Sequence, residues 1–295
     1  MEALSFQNIT TDFITDPVFK EKKVEVAILR LDKIHPVISG NKWFKLQYYL
    51  AEAQKLQKNT IVTFGGAWSN HIIATAAVCN KNSLNSIGII RGEEPAKLSQ
   101  TLKDAKEFGM QLFFISRKDY HDKKVPEIPG RDDYYFIPEG GYGTKGAEGA
   151  ATILNHCVKE HFSHVCCAVG TGTMMAGLLN SVSKAQGVTG ISVMKNNFEL
   201  EEKIRALLTN EHSFRLNHEY HFGGYAKHDD KLIGFMNNWY TQTHIPSDIV
   251  YSGKLFFAVN DLIEKNYFAA GSSILVIHCG GLQGNSSLPK GKLIF

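Results

Sequence analysis

The chain predicts an α/β fold in two units, each a mostly parallel sheet flanked by helices. Short apolar runs of strand length alternate with amphipathic stretches of helix length from residue 24 to residue 277. That alternation is the pattern of sheets covered on both faces by helices. The length of 295 residues exceeds what one compact core needs and suits two. Glycine-bearing turns also stand where strands hand over to helices, at Gly65-Gly66 and Gly170-Thr171-Gly172.

The elements follow in order. A strand over 24–31 leads through a loop to a helix opened by Asn41-Lys42. A strand over 61–64 precedes a helix over 68–79. A strand over 86–90 precedes a helix over 95–108, with Pro95 at its start, where a missing N–H is tolerated. Gly109 ends that helix, and a strand covers 111–115. Residues 116–131 read as an irregular polar segment with two prolines. A second series begins near Tyr134: helix 144–160, strand 164–169, helix 173–183, strand 190–194, helix 198–208, helix 254–265 and strand 273–277. Residues 45–138 are expected to form the smaller unit, and 1–44 with 139–295 the larger. Lys42 and the segment 138–143 then fall at the cleft between them, a common place for a ligand. There is no internal repeat and no low-complexity tract.

Composition narrows the function classes. With 43% hydrophobic and 21% charged residues the chain is an ordinary globular protein. A net charge of +3 is too small to imply nucleic acid or an anionic membrane as partner. No apolar run approaches a membrane span, and the start (acidic at Glu2, with no basic or apolar region) does not read as a signal peptide, so a cytoplasmic location is expected. Five cysteines, odd in number and without metal-type spacing, read as structural thiols in a reducing compartment. His212, His218 and His221 lack the i, i+4 spacing of helical zinc sites, so no metal is expected.

Three constellations carry chemistry. Lys42, at a strand-to-helix junction, offers an amine for Schiff-base chemistry beside a bound aldehyde, and Lys45 shares its helix face three residues on. Gly65-Gly66-Ala67-Trp68-Ser69-Asn70-His71 joins a strand end to a helix start whose N–H groups are free; Ser69 or Asn70 alone would be an ordinary helix cap. Val169-Gly170-Thr171-Gly172-Thr173-Met174 is a strand, a glycine turn and a helix start, able to hold a phosphate on backbone N–H groups. It is neither a Walker loop nor Gly-x-Gly-x-x-Gly, since Met175 takes the place of the third glycine.

Together and in this order, the three resemble the pyridoxal-phosphate enzymes of the tryptophan-synthase-β type (fold type II). They are most similar to the 1-aminocyclopropane-1-carboxylate (ACC) deaminase/D-cysteine desulfhydrase family. The resemblance continues at Arg30-Leu31-Asp32, Glu139-Gly140-Gly141, Gly224-Tyr225, Tyr251-Ser252-Gly253-Lys254 and His278-Cys279-Gly280-Gly281, and so spans nearly the whole chain. It implies pyridoxal 5'-phosphate as cofactor and a homodimer acting on a small amino acid. Lys42 would carry the cofactor and move protons, and Asn70 would bond its 3-oxygen. Gly170, Thr171, Gly172, Thr173 and Met174 would bind its phosphate with Lys45 nearby, while Ser252 and Cys279 would lie against the ring. Ser69, Tyr225 and Tyr251 would act on the substrate.

One departure directs the reading of activity. ACC deaminases place a glutamate directly after the tyrosine corresponding to Tyr251, where it keeps the pyridine nitrogen protonated; here the residue is Ser252. A hydroxyl cannot do this by charge. The weaker electron sink suits β-elimination, so the resemblance points to D-cysteine, converted to pyruvate, sulfide and ammonia, ahead of ACC, converted to 2-oxobutanoate and ammonia. An amino-acid racemase or dehydratase of the same fold, or a non-catalytic protein that binds the cofactor, are the further alternatives.

Overall fold

A computed structural model describes residues 4–128 and 130–295. Glu2, part of the expected leader-free start, and Pro129, one of the two prolines of the polar segment, lie outside the described residues. The strands assemble into two sheets. The first contains β1 (Thr11–Ile14), β2 (Glu25–Arg30), β7 (His164–Val169), β8 (Gly187–Ser192), β9 (Arg215–Asn217) and β10 (Ser273–His278) in the order β1-β2-β10-β7-β8-β9. All its pairings are parallel except β1 with β2. The second contains β3 (Thr60–Gly65), β4 (Asn85–Arg91), β5 (Gln111–Ile115) and β6 (Tyr134–Ile137), all parallel, in the order β5-β4-β3-β6.

The central strands of the larger sheet are apolar on both faces because helices cover both. Leu29, Cys167, Val169, Leu275 and Ile277 face one core. It is shared with α2 (Asn41–Lys55), α6 (Thr144–Ala151) and α7 (Thr173–Leu179). Their neighbours Ile28, Cys166, Ala168, Ile274 and Val276 face the opposite core with α10 (Ser252–Glu264). Continuous apolar runs, rather than alternating ones, are what two-sided burial requires.

Several boundaries differ from expectation. The helix expected over 95–108 begins instead at α4 (Gln100–Glu107), because Ser99, not Pro95, supplies the cap: its Oγ accepts from Leu102 N–H at 3.2 Å. The helix expected over 144–160 ends at Ala151, and a tighter turn, Thr152–His156, follows; the Thr152 hydroxyl donates back to Gly149 O at 2.8 Å. The helices expected over 173–183 and 198–208 are shorter, α7 stopping at Leu179 and α8 covering Leu200–Arg205. A one-turn helix, α5 (Arg117–His121), interrupts the expected irregular segment. The sequence reading assigns nothing to α1 (Pro17–Glu21), β1, β9 or α9 (Asp230–Thr243). In α9, Leu232, Ile233, Met236 and Trp239 do recur at helical spacing, but Gly234 and Asn237-Asn238 dilute the propensity. The remaining helix, α3 (Asn70–Lys81), is buried over most of its length beneath the smaller sheet.

Candidate active site

Lys42 stands where two backbone segments touch. Gly40, before α2, has φ +64°, and a Cβ there would lie 1.7 Å from the carbonyl oxygen of Cys279. Only glycine allows that approach. Asn41 N–H then donates to the same carbonyl at 3.3 Å, which seats the first turn of α2 on the end of β10. The Lys42 amine donates to Asn41 Oδ1 at 2.8 Å and lies 5.6 Å from the centre of the Tyr251 ring. Burial pulls its pKa below the ordinary lysine value, and Cys279 and Asp248 only partly oppose this. Lys45, one turn on, donates to Gly140 O at 3.3 Å. Burial, then the charge of Lys42, brings it down to about 7.

The β3–α3 junction supplies a polar wall. Ser69 caps α3, its Oγ accepting from Ile72 N–H at 3.3 Å. Asn70 Nδ2 donates to Gly281 O at 3.3 Å, and a Cβ on Gly281 (φ +83°) would strike that amide at 2.2 Å. The Cys279-to-Gly281 turn is therefore pinned to the starts of both α2 and α3. Thr63 Oγ donates to Ile137 O at 2.7 Å, so its 2.9 Å contact with His71 Nε2 makes that nitrogen the donor. His71 Nδ1 is then an acceptor. It and Asn70 Oδ1 are buried with no partner among the described residues. Burial, aided by Lys42 and Lys45, holds His71 neutral with a pKa of about 3.

The opposite wall comes from β7, α7 and α10. The turn Gly170-Thr171-Gly172 passes from β7 into α7, with the Thr171 and Thr173 hydroxyls 3.0 Å apart. Tyr251 and Tyr225 meet edge to face with centroids 6.2 Å apart. The Tyr251 pKa is raised well above its ordinary value, by burial first and then by Tyr225, and that of Tyr225 is raised by burial. Both phenols stay protonated. Beneath them Asp248, fully buried, accepts from the N–H groups of Val250, Tyr251 and Ser252 and from Ser252 Oγ, at 2.7 to 2.9 Å. Lys254, also fully buried, donates to His221 O at 2.9 Å and Gly224 O at 2.7 Å, tying down the loop that carries Tyr225.

These walls enclose a cavity of about 520 Å³ at the carboxyl ends of the parallel strands, between the two sheets. Lys42, Lys45, Ser69, Asn70, Gly170, Thr171, Gly172, Met174, Tyr225, Tyr251 and Cys279 all line it. Thr173 and Ser252 do not; both are fully buried behind the wall, Ser252 with its hydroxyl committed to Asp248. His71, Arg91 and Glu139 line it without having been assigned from sequence. His71 belongs to a readable motif, whereas Arg91 ends a strand in no local pattern. Asp248 also went unassigned; it precedes the N-cap position, held by Tyr251, and so matches no capping pattern in the sequence. No group of three or more His, Cys, Asp or Glu able to hold a metal occurs among the described residues.

Residues 8–280 match the pyridoxal-phosphate dependent enzyme family. The chain belongs to that family. Pyridoxal phosphate is its cofactor, and the cavity fits it: two lysine amines stand beside a glycine turn at a helix start, and two buried acceptors await a polar ring. Among its relatives is the bifunctional D-cysteine desulfhydrase/1-aminocyclopropane-1-carboxylate deaminase, mitochondrial, of Arabidopsis thaliana, 30% identical over 88% of this chain and 73% of that one. Another is the D-cysteine desulfhydrase of Salmonella typhi, 26% identical over 87% of each. The crystal structure of an ACC deaminase homologue superposes with a TM-score of 0.81 at 26% identity, covering 97% of this chain and 92% of that one. The family member described here is thus an ACC deaminase/D-cysteine desulfhydrase-type enzyme with the two-sheet fold of fold type II. No helix among its described residues is long and apolar enough to cross a membrane.

Proposed function

We propose that this enzyme is a lyase that converts D-cysteine to pyruvate, sulfide and ammonia, with ACC deamination as the alternative. The observation that carries this reading is that no free carboxylate stands on the cavity wall among the described residues. Glu139, the acid lining the cavity among the described residues, is paired with Lys123 at 2.6 Å. Asp248 is saturated by four donors, and Ser252 is spent on Asp248. The Cys279 thiol, which does line the cavity, is pushed up to about 12 by burial and Asp248, and so is neutral.

Pyridoxal phosphate, when bound, supplies an aldehyde and an electron-withdrawing ring that accepts the electrons of a bond broken at the amino acid's Cα. Without an anion to keep that ring protonated, its pull is weaker, which suits loss of a good leaving group from Cβ. Lys42, held toward the neutral amine by burial, serves as the base for the Cα proton. Tyr251 and Tyr225, held as phenols, can donate to the departing sulfur. Ser69 and the first N–H groups of α3 would hold the substrate carboxylate, and Lys45 with the Gly170-to-Met174 turn the phosphate.

The same proposal includes a smaller unit over 45–138, a homodimer and a cytoplasmic location. The four strands of the smaller sheet all lie within 60–137, two-fold dimers are the commonest soluble assembly, and five free thiols suit a reducing compartment. The test of the activity is keto-acid release by the cofactor-loaded protein. D-cysteine should yield pyruvate and sulfide in equal amounts and faster than ACC yields 2-oxobutanoate. Faster turnover of ACC would reverse the preference.

A further inference from the structure

The mouth of the cavity holds a cation that the reaction above does not use. Arg91 closes β4 beside the β3–α3 junction, and a methyl on Gly66 would sit 3.6 Å from its Nη2. Its guanidinium lies 5.8 Å from the centre of the Tyr120 ring, and its charge is felt by Tyr225 across the opening. The other cations of the mouth are matched: Lys123 pairs with Glu139 at 2.6 Å and Lys203 with Glu199 at 2.8 Å. Arg91 has no carboxylate partner among the described residues, yet it lines the cavity. In the reading above, the phosphate and the substrate carboxylate go to the Gly170 turn with Lys45 and to the start of α3. An arginine fork at the rim is suited to a third anion.

We propose that Arg91 forms an outer subsite for an acidic group carried on the substrate's Cβ substituent. The enzyme would then also take cysteine S-conjugates whose leaving group ends in a carboxylate. The inference rests on the lyase reading and extends it, because D-cysteine itself leaves this subsite unfilled. For S-carboxymethyl-D-cysteine the Cα proton and the Cβ–S bond are lost, the sulfur leaves with the bonding pair and takes up a proton, and water completes the products. These are pyruvate, ammonia and mercaptoacetate.

The test compares S-carboxymethyl-D-cysteine with its neutral isostere S-carbamoylmethyl-D-cysteine on the cofactor-loaded protein. The acid should be preferred in kcat/KM by about tenfold or more, chiefly through KM. Arg91→Gln should bring the two to parity, and Arg91→Lys should restore part of the preference. Parity in the unaltered enzyme, or a preference that survives Arg91→Gln, would overturn the subsite. If D-cysteine is turned over in the same assay, that failure belongs to the subsite alone. If D-cysteine gives no pyruvate either, the lyase reading and the subsite both fall.

Discussion

Lys45 carries a proton that the folded chain holds loosely. Its pKa falls from the ordinary 10.5 to about 7, through burial first and the Lys42 charge second, whereas in the unfolded chain it keeps its ordinary value. Above pH 7 the unfolded state therefore binds more protons, and stability rises with pH; below pH 7 the cost of burying the ammonium is complete. Lys42 and Lys254 are shifted in the same direction. The cofactor-free protein should gain resistance to urea between pH 7 and about 8.5, beyond which exposed thiols of the unfolded chain begin to ionise. Lys45→Met should flatten that rise, and equal slopes in the two proteins would show that Lys45 is not the group responsible. At this scale the sequence is most legible where a polar side chain sits in a strand–turn–helix junction, as Lys42, Ser69 and Asn70 do, and all three line the cavity. Arg91 escaped because its neighbours at the cavity, Gly66 and Tyr225, are brought near it only by the fold.

Helix α10 depends on one buried acid. Asp248 receives three backbone N–H groups at its start and the Ser252 hydroxyl, and the same turn presents Tyr251 to the cavity. Removing the carboxylate leaves several buried donors unmet. Asp248→Ala should cost about 3 kcal/mol of stability in urea unfolding, and Asp248→Asn less. A loss below about 1 kcal/mol for the alanine variant would mean that water or a shifted backbone takes over the carboxylate's hydrogen bonds. Most parallel strands were legible as apolar runs, and β7 was placed to the residue, because two-sided burial leaves a dense signal. Helix ends were less legible. The start of α4 turned on Ser99 rather than Pro95, and that choice rests on a side-chain bond that composition does not reveal.

The site belongs to neither sheet alone. Its walls come from the β3–α3 junction of the smaller sheet and from the ends of β7 and β10 of the larger, bridged by the bonds Asn41 N–H to Cys279 O and Asn70 Nδ2 to Gly281 O. A cofactor that fills this seam stabilises both sides at once. Amide hydrogen exchange should slow in β3 and in β10 together when pyridoxal phosphate is added to the cofactor-free protein; protection confined to one sheet would show that the two open independently. The existence of the two sheets was foreseeable from the β/α alternation, but their strand order was not. Nothing local in residues 273–278 says that β10 lies between β2 and β7, because both pairings join segments far apart in sequence.

That central position of β10 also sets an order of events during synthesis. The ribosome releases the chain from its amino end, so β2 and β7 emerge long before the strand that joins them. Until residues 273–281 are out, β2 and β7 lack their shared neighbour, and Lys42 lacks the Cys279 turn on which its helix rests. The smaller sheet, complete by residue 137, has no such wait. The nascent enzyme thus carries one finished sheet and one open one while residues 138–272 are made, and becomes competent for its cofactor only once residues 273–281 are out.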